Sequence, residues 1–314
     1  MIDKACKNIW FVSREYDSLT DGGEVHHLVS QLASALARSG LDVSVVLPRY
    51  GFMEPEDAGF SRLELSFTVD MSYVRQERRE PVKIWHKKNA VDIYLIDSPR
   101  LREKKGLYSY TAAEAEKMAG IRQDDRHVDY FAMNILLQKA AVCLMICLDQ
   151  DVDIIHCHNA HTALLPALIN ENEGFRHYFV KTGCLVSIYN AAADSHQGVA
   201  DLPFAQVISG LPARVIHRNI LNNQFDPLLA AADYAVMNTV TESYARQLTE
   251  TDEDELSGWL GHTLMGRGVR LIGAANAVSR DDNETESGAG EYVWSKLKKS
   301  YLDLYLKALA VNYS

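Results

Sequence analysis

Residues 151–167 read DVDIIHCHNAHTALLPA, and within them the chain changes from strand to helix. Val152, Ile154 and Ile155 are β-branched and bounded by acidic residues, which predicts a buried strand. Ala163, Leu164, Ala167 and Leu168 recur at helical spacing. Between them lies a polar turn, His156-Cys157-His158-Asn159-Ala160-His161-Thr162. In an open α/β sheet such a turn sits at the carboxyl end of a strand, where ligands bind. The three histidines make it a candidate site. The alternative is that they only close the turn, with Asn159 or Thr162 capping the helix.

Working outward, residues 8–13 (NIWFVS) form a short apolar strand, followed by Asp21-Gly22-Gly23. A helix carrying Val25, Leu28, Val29, Leu32 and Leu36 ends at Ser39-Gly40, a glycine stop. A second strand (42–47, DVSVVL) completes one βαβ unit, whose glycine-containing turn lets a ligand approach the backbone. Strands are predicted at 63–69 and, as a hairpin around Lys87-Lys88-Asn89, at 82–86 and 91–96. Residues 75–80 (RQERRE) read as a solvated loop, and 100–125 as a charged, mobile one. Residues 127–148 form a long helix. Beyond the central stretch come strands within 176–188, at 233–240 and at 269–273, and a helix over 241–248 capped by Thr241 or Ser243. Trp10 and Trp85 read as core, and Trp259 as core, lid or sugar platform.

Strands alternating with helices predict an α/β fold: a single Rossmann-like domain with a mostly parallel sheet covered on both faces. It is expected to span 1–278. Residues 279–290 are polar and read as a linker. Residues 291–314 form an amphipathic helix carrying Val293, Trp294, Leu297, Tyr301, Leu304, Tyr305 and Ala308, expected to pack back on the domain.

The 314 residues are 47% hydrophobic with a net charge of −10. An acidic surface argues against nucleic acid or an anionic membrane as partner. No apolar run is read as reaching the roughly 18 residues that span a bilayer, and residues 1–10 show no signal-peptide core. Five cysteines scattered through apolar stretches read as reduced, predicting a cytoplasmic protein. Cys143 and Cys147, four apart on an apolar helix, read as core rather than as metal ligands.

Several motifs, in order over residues 8–280, resemble the N-terminal half of bacterial glycogen synthases and plant starch synthases, retaining glucosyltransferases of the two-Rossmann-domain (GT-B) type. The family's Lys-x-Gly-Gly-Leu stands here as Thr20-Asp21-Gly22-Gly23-Glu24, with Val43, Val45, Pro48, Tyr50 and Gly51 in step. Its Asp-Ile-x-His-x-His-Asp-Trp resembles Asp153-Ile154-Ile155-His156-Cys157-His158-Asn159-Ala160. Ile188-Tyr189-Asn190 with Gln197-Gly198 resembles its Ile-His-Asn…Gln-Gly loop. Ala232-Asp233 through Tyr244-Ala245, and Ile272 through Asn276-Ala277-Val278-Ser279, resemble two later motifs.

The resemblance implies His158 as the catalytic-type residue near the transferred sugar. It implies Gly22, Gly23, Asp129, Asn159, Asn190, Gln197 and Asn276 as substrate-binding positions, with no metal and no cofactor. The departures are specific. The family lysine that reaches the donor phosphates is Thr20, and Asp21 beside it would repel a diphosphate. The loop histidine is Tyr189. The donor-binding second domain has no room before the final helix, which itself resembles the enzymes' crossover helix.

The first expectation is a catalytically impaired synthase relative that binds α-glucan or maltooligosaccharide, and ADP-glucose at most weakly, with the inter-domain face exposed to a protein partner or a second copy. One alternative is an ADP-glucose or UDP-glucose α-1,4-glucan glucosyltransferase completed by another chain or a dimer. Another is a metal hydrolase using His156, His158 and His161.

Overall fold

The computed structural model describes residues 6–20, 25–274 and 287–311, with side chains of the last helix described over 297–310. Gly22, Gly23, Asn276 and residues 279–286 of the expected linker lie outside the described residues. The strands are β1 (Asn8–Val12), β2 (Asp42–Pro48), β3 (Ser61–Tyr73), β4 (Gln76–Lys88), β5 (Asp92–Asp97), β6 (Ile154–His158), β7 (Gly183–Ile188), β8 (Ile220–Leu221), β9 (Gln224–Phe225), β10 (Val236–Thr239) and β11 (Leu271–Gly273). Nine of them form one sheet in the order β11-β10-β7-β6-β1-β2-β5-β4-β3, and β8 and β9 form a separate small hairpin. The run from β11 to β5 is parallel. Only the β5-β4-β3 end is antiparallel.

Side-chain alternation along each strand divides the core in two. Trp10, Val12, Ile155 and Cys157 face the long helix Tyr130–Cys147. Ile9, Phe11, Ile154 and Leu185 face the opposite side, where the helices Val25–Arg38 and Ser287–Val311 pack. That last helix begins inside the stretch expected as linker, since 287–290 are helical. Its residues Leu297, Tyr301, Leu304, Tyr305 and Ala308 are buried against the sheet. Gly183 on β7 makes the docking close: a Cβ there would lie 2.7 Å from backbone atoms of both Ala308 and Leu309.

Three expectations are corrected. The charge run at 75–80 is not a loop, because Gln76–Lys88 pairs along β3 in a long hairpin. Residues 100–125 carry the short helices Pro99–Arg102 and Ala112–Ala115. Tyr130–Cys147 does reach membrane-spanning length and apolarity, with mean hydropathy 1.6, but 78% of it is buried within the protein, so the core accounts for its composition.

Candidate functional site

The strand order locates the site. From β1 the chain passes to β2, crosses to the sheet edge at β3, works back through β4 to β5, and then enters β6 on the other side of β1. The carboxyl ends of β1 and β6 therefore flank a topological switch point, where open α/β sheets leave a crevice for ligands. A cavity of about 420 Å³ lies there. The residues just past β1 (Arg14, Glu15), β6 (Asn159, His161) and β7 (Asn190) line it. Tyr108 and Arg126 come from the segment leading into the long helix, Tyr130 from its first residue, and Asp194, Ser195 and Gln197 from the loop after β7. A second cavity of about 410 Å³, walled largely by Leu19, Phe52, Met53, Phe60 and Leu107, lies behind residues 105–107 and holds little chemistry.

The polypeptide shapes the first cavity through three left-handed residues, Asp124 (φ +67°), Asn159 (φ +60°) and Gln197 (φ +60°). Asn tolerates this conformation better than most residues. Asn159 uses it to stitch β6 to β7: its N–H donates to Ser187 O at 2.8 Å, and its side-chain oxygen accepts from Tyr189 N–H at 2.9 Å. Gln197 Oε1 accepts from Asn134 Nδ2 at 3.0 Å. Asn190 Oδ1 accepts from Ala192 N–H at 2.8 Å.

The charges are mixed. Glu15 is buried and accepts from the Tyr108 hydroxyl. Burial pushes its carboxyl up to about 7, although Arg14 and the backbone at His26 pull the other way. Arg14 is committed to structure, donating to the Tyr50 hydroxyl at 2.6 Å and to Leu107 O. The Arg126 guanidinium lies 4.0 Å over the Tyr130 ring. His161 is held well below its usual pKa by burial and by Arg14 and Arg126. The lining therefore offers amides, aromatic faces and a neutral imidazole alongside charges of both signs. Such a set suits a hydroxylated ligand with apolar ring faces.

The expected site residues divide. Asn159, Asn190 and Gln197 line the cavity together. Asp129 does not, because its carboxylate is taken by Arg100 Nη1 at 2.7 Å and Lys104 Nζ at 2.8 Å. Burial would raise its pKa, but these two cations hold it below the carboxylate range. His158 also lies outside the cavity. It is 2% exposed, stacked beneath Tyr189, with Nδ1 2.8 Å from that hydroxyl. Desolvation lowers its pKa to about 3.

His156 is sealed deeper, between Tyr305 Oη at 3.1 Å and Ser187 Oγ at 2.7 Å. Both its ring nitrogens are thus engaged, while His161 faces the cavity. No group of three potential metal ligands gathers among the described residues, and the hydrolase alternative has no ligand set there. Arg14, Glu15, Tyr108, Arg126 and Tyr130 were not anticipated. The position of Arg14 and Glu15 directly after β1 was the available signal.

Comparison with known proteins places this geometry. The profile of the starch synthase catalytic domain matches residues 8–262. Glycogen synthase 1 of Geobacter metallireducens is 28% identical over 266 residues, covering 83% of this chain and 49% of that protein. Glycogen synthase of Photobacterium profundum is 25% identical over 308 residues, covering 94% and 54%. The catalytic domain of starch synthase IV from Arabidopsis thaliana, solved bound to ADP and acarbose, superposes with a TM-score of 0.68 at 19% identity, over 88% of this chain and 53% of that one. The chain thus spans about half the length of the curated relatives it matches.

Proposed function

The chain belongs to the starch synthase catalytic domain family, and on that premise we propose that it acts in α-glucan metabolism as a glucan-binding or regulatory protein whose portion in hand does not transfer glucose by itself. The ligand is a maltooligosaccharide or the end of a longer glucan, held in the cavity at the carboxyl ends of β1, β6 and β7. A cytoplasmic site of action is part of the proposal.

One observation carries it. Thr20 stands where the family resemblance puts a phosphate-reaching lysine. Thr20 is fully buried, and its Oγ1 accepts the Tyr16 N–H at 2.8 Å. It offers nothing to a departing diphosphate, which needs cations or aimed dipoles. Glu15, Asp124 and Asp194 line the cavity and oppose a diphosphate further. Neutral amides and tyrosines remain for sugar hydroxyls and ring faces.

A second reading is transfer completed by another chain or a second copy. It draws support from the half-length match to full synthases. Calorimetric titration with maltoheptaose and with ADP-glucose separates the two, with Arg126→Ala alongside. Glucan heat that is lost in Arg126→Ala, with no ADP-glucose heat, is the expected result. Tight ADP-glucose binding, or glucose transfer by the chain alone, would overturn it.

A further inference from the structure

Eight non-glycine residues among those described have positive φ; seven are Asp, Asn or Gln, and the eighth is Trp259 at +70°. A bulky side chain in this region meets a steric penalty that Asn and Asp partly escape. Such an outlier persists only where its surroundings over-determine it, and these outliers cluster at binding sites.

The surroundings here are explicit. Asp254 is fully buried and gathers the turn around itself. It accepts from the Ser257 hydroxyl, from Gly261 N–H at 3.1 Å, from His262 N–H at 2.8 Å and from His262 Nδ1 at 2.9 Å. An ionised carboxylate only accepts, so Nδ1 carries the proton and Nε2 is left for another partner. The clamp that fixes the imidazole also fixes the indole. Trp259 is 41% exposed, and its ring meets the edge of His262 with centroids 5.2 Å apart at 75°. An aromatic face that is held rigidly and left uncovered is a stacking surface, not core.

Its position links it to the cavity. Gly258 O accepts from Asn222 Nδ2 at 3.0 Å. A Cβ on Gly258 would lie 3.8 Å from Ala193. Ala193 opens the single turn 193–195, whose Asp194 and Ser195 line the cavity. Asn222 and the adjacent Asn223 are both exposed.

We propose that Trp259 and His262 form a second carbohydrate subsite, receiving a glucan chain as it leaves the cavity, with the indole stacked on a pyranose face and His262 Nε2 bonded to a hydroxyl. The proposal rests on reading the cavity as a glucan site. The chain continues past the 193–195 turn, so longer oligosaccharides gain a contact that short ones cannot reach.

The test uses the full chain, maltotriose and maltoheptaose as probes, and the variants Trp259→Gly and Arg126→Ala. Glycine at position 259 relieves the positive φ, so the thermal midpoint of Trp259→Gly should not fall. The same variant should weaken maltoheptaose by about tenfold, the size of one aromatic stacking contact, and leave maltotriose unchanged. A lowered midpoint with unchanged maltoheptaose affinity would make Trp259 structural and overturn the subsite. Unchanged maltoheptaose affinity in Trp259→Gly, with loss in Arg126→Ala, overturns the subsite and leaves the cavity reading standing. Loss in Trp259→Gly with none in Arg126→Ala overturns the cavity reading and with it a subsite fed from that cavity. No binding of either sugar by the unaltered chain overturns both.

Discussion

His156 and His161 stand on the same short stretch and occupy opposite environments. His156 points from β6 toward the C-terminal helix, with both ring nitrogens bonded to buried hydroxyls. His161 points from the following turn into a cavity of about 420 Å³. The difference is one of backbone geometry rather than residue type. In the strand, positions 154, 156 and 158 share a face, and that face is closed by Tyr301 and Tyr305. In the turn, the left-handed Asn159 redirects the chain, and His161 after it lines the switch-point crevice. His156 fastens a helix to the sheet, and His161 is available to a ligand.

The largest test of that division is Gly183→Ala. The added methyl would meet the helix backbone at 2.7 Å and Ile154 Cδ1 at 2.9 Å, contacts that require the helix to move. A loss of about 3 kcal/mol in urea unfolding is expected, at the upper end for overpacking. Maltoheptaose affinity should survive under conditions where the variant is folded. A loss below about 0.5 kcal/mol, the scale of an ordinary surface change, would mean that the helix is not clamped to the strand face, and the comparison would fail.

Acid is the next test. Desolvation holds His127 at about 4 and His158 at about 3, and pushes His156 and His161 well down. A base whose folded pKa lies below its unfolded value takes up its proton preferentially on unfolding. Its stabilising share is therefore complete above pH 6.5 and drains as the pH falls. Glu15, raised to about 7 by burial, works in the opposite sense: it favours the folded state below pH 4.5 and loses that share as the pH rises through 7. His196 is desolvated but raised by its pairing with Asp226, so it also stabilises at low pH. Four groups against two leave a net proton uptake on unfolding, so stability should decline as the pH falls below 6.5. Unfolding free energy measured by urea across that window should fall accordingly. A flat profile would show that the strand histidines accept protons in place, contrary to their sealed position.

Much of this was legible in sequence. The β-branched run before His156, the glycine stop at Gly40 and the hairpin around Lys87-Lys88-Asn89 each carry a local signal, and each element formed. The polar segment lies at a strand end, as strand-then-helix periodicity implies, but β6 runs through His158, so His156, Cys157 and His158 are strand and the turn begins only at Asn159. Periodicity does not say which face of β6 the C-terminal helix covers, nor that His158 lies beneath Tyr189. The ion pairs of Asp129 were illegible for a related reason: its partners Arg100 and Lys104 come from a charged segment that local pattern reads as loop. The helix Leu202–Ser209 was missed although its signals were present. Asp201 caps Phe204 N–H at 2.9 Å, and Gly210 closes the helix at φ +76°. Arg14 and Glu15 carry the signal of following β1 directly, but Tyr108 and Arg126 reach the cavity only through the strand order, a long-range property that no window of sequence contains.

The smallest effect is expected from Tyr305→Phe, and it probes the division most narrowly. Ser187 Oγ donates to Asn238 Oδ1 at 2.6 Å, so it must accept from His156, which places the imidazole proton on Nε2. Nδ1 is then an acceptor, and the Tyr305 hydroxyl donates to it at 3.1 Å. Removing that hydroxyl leaves a buried nitrogen unpaired and keeps the ring packing, a cost of about 1 kcal/mol. Because the bond lies on the strand face, maltoheptaose affinity should stay within about twofold of the unaltered chain, well under the 1.4 kcal/mol that a tenfold change requires. His161→Ala should do the reverse, weakening the glucan while costing less stability than a sealed strand histidine would. If Tyr305→Phe weakened the glucan as much as His161→Ala did, the strand face and the turn would be one coupled site. The C-terminal helix would then have to be counted as part of the binding apparatus rather than as its support.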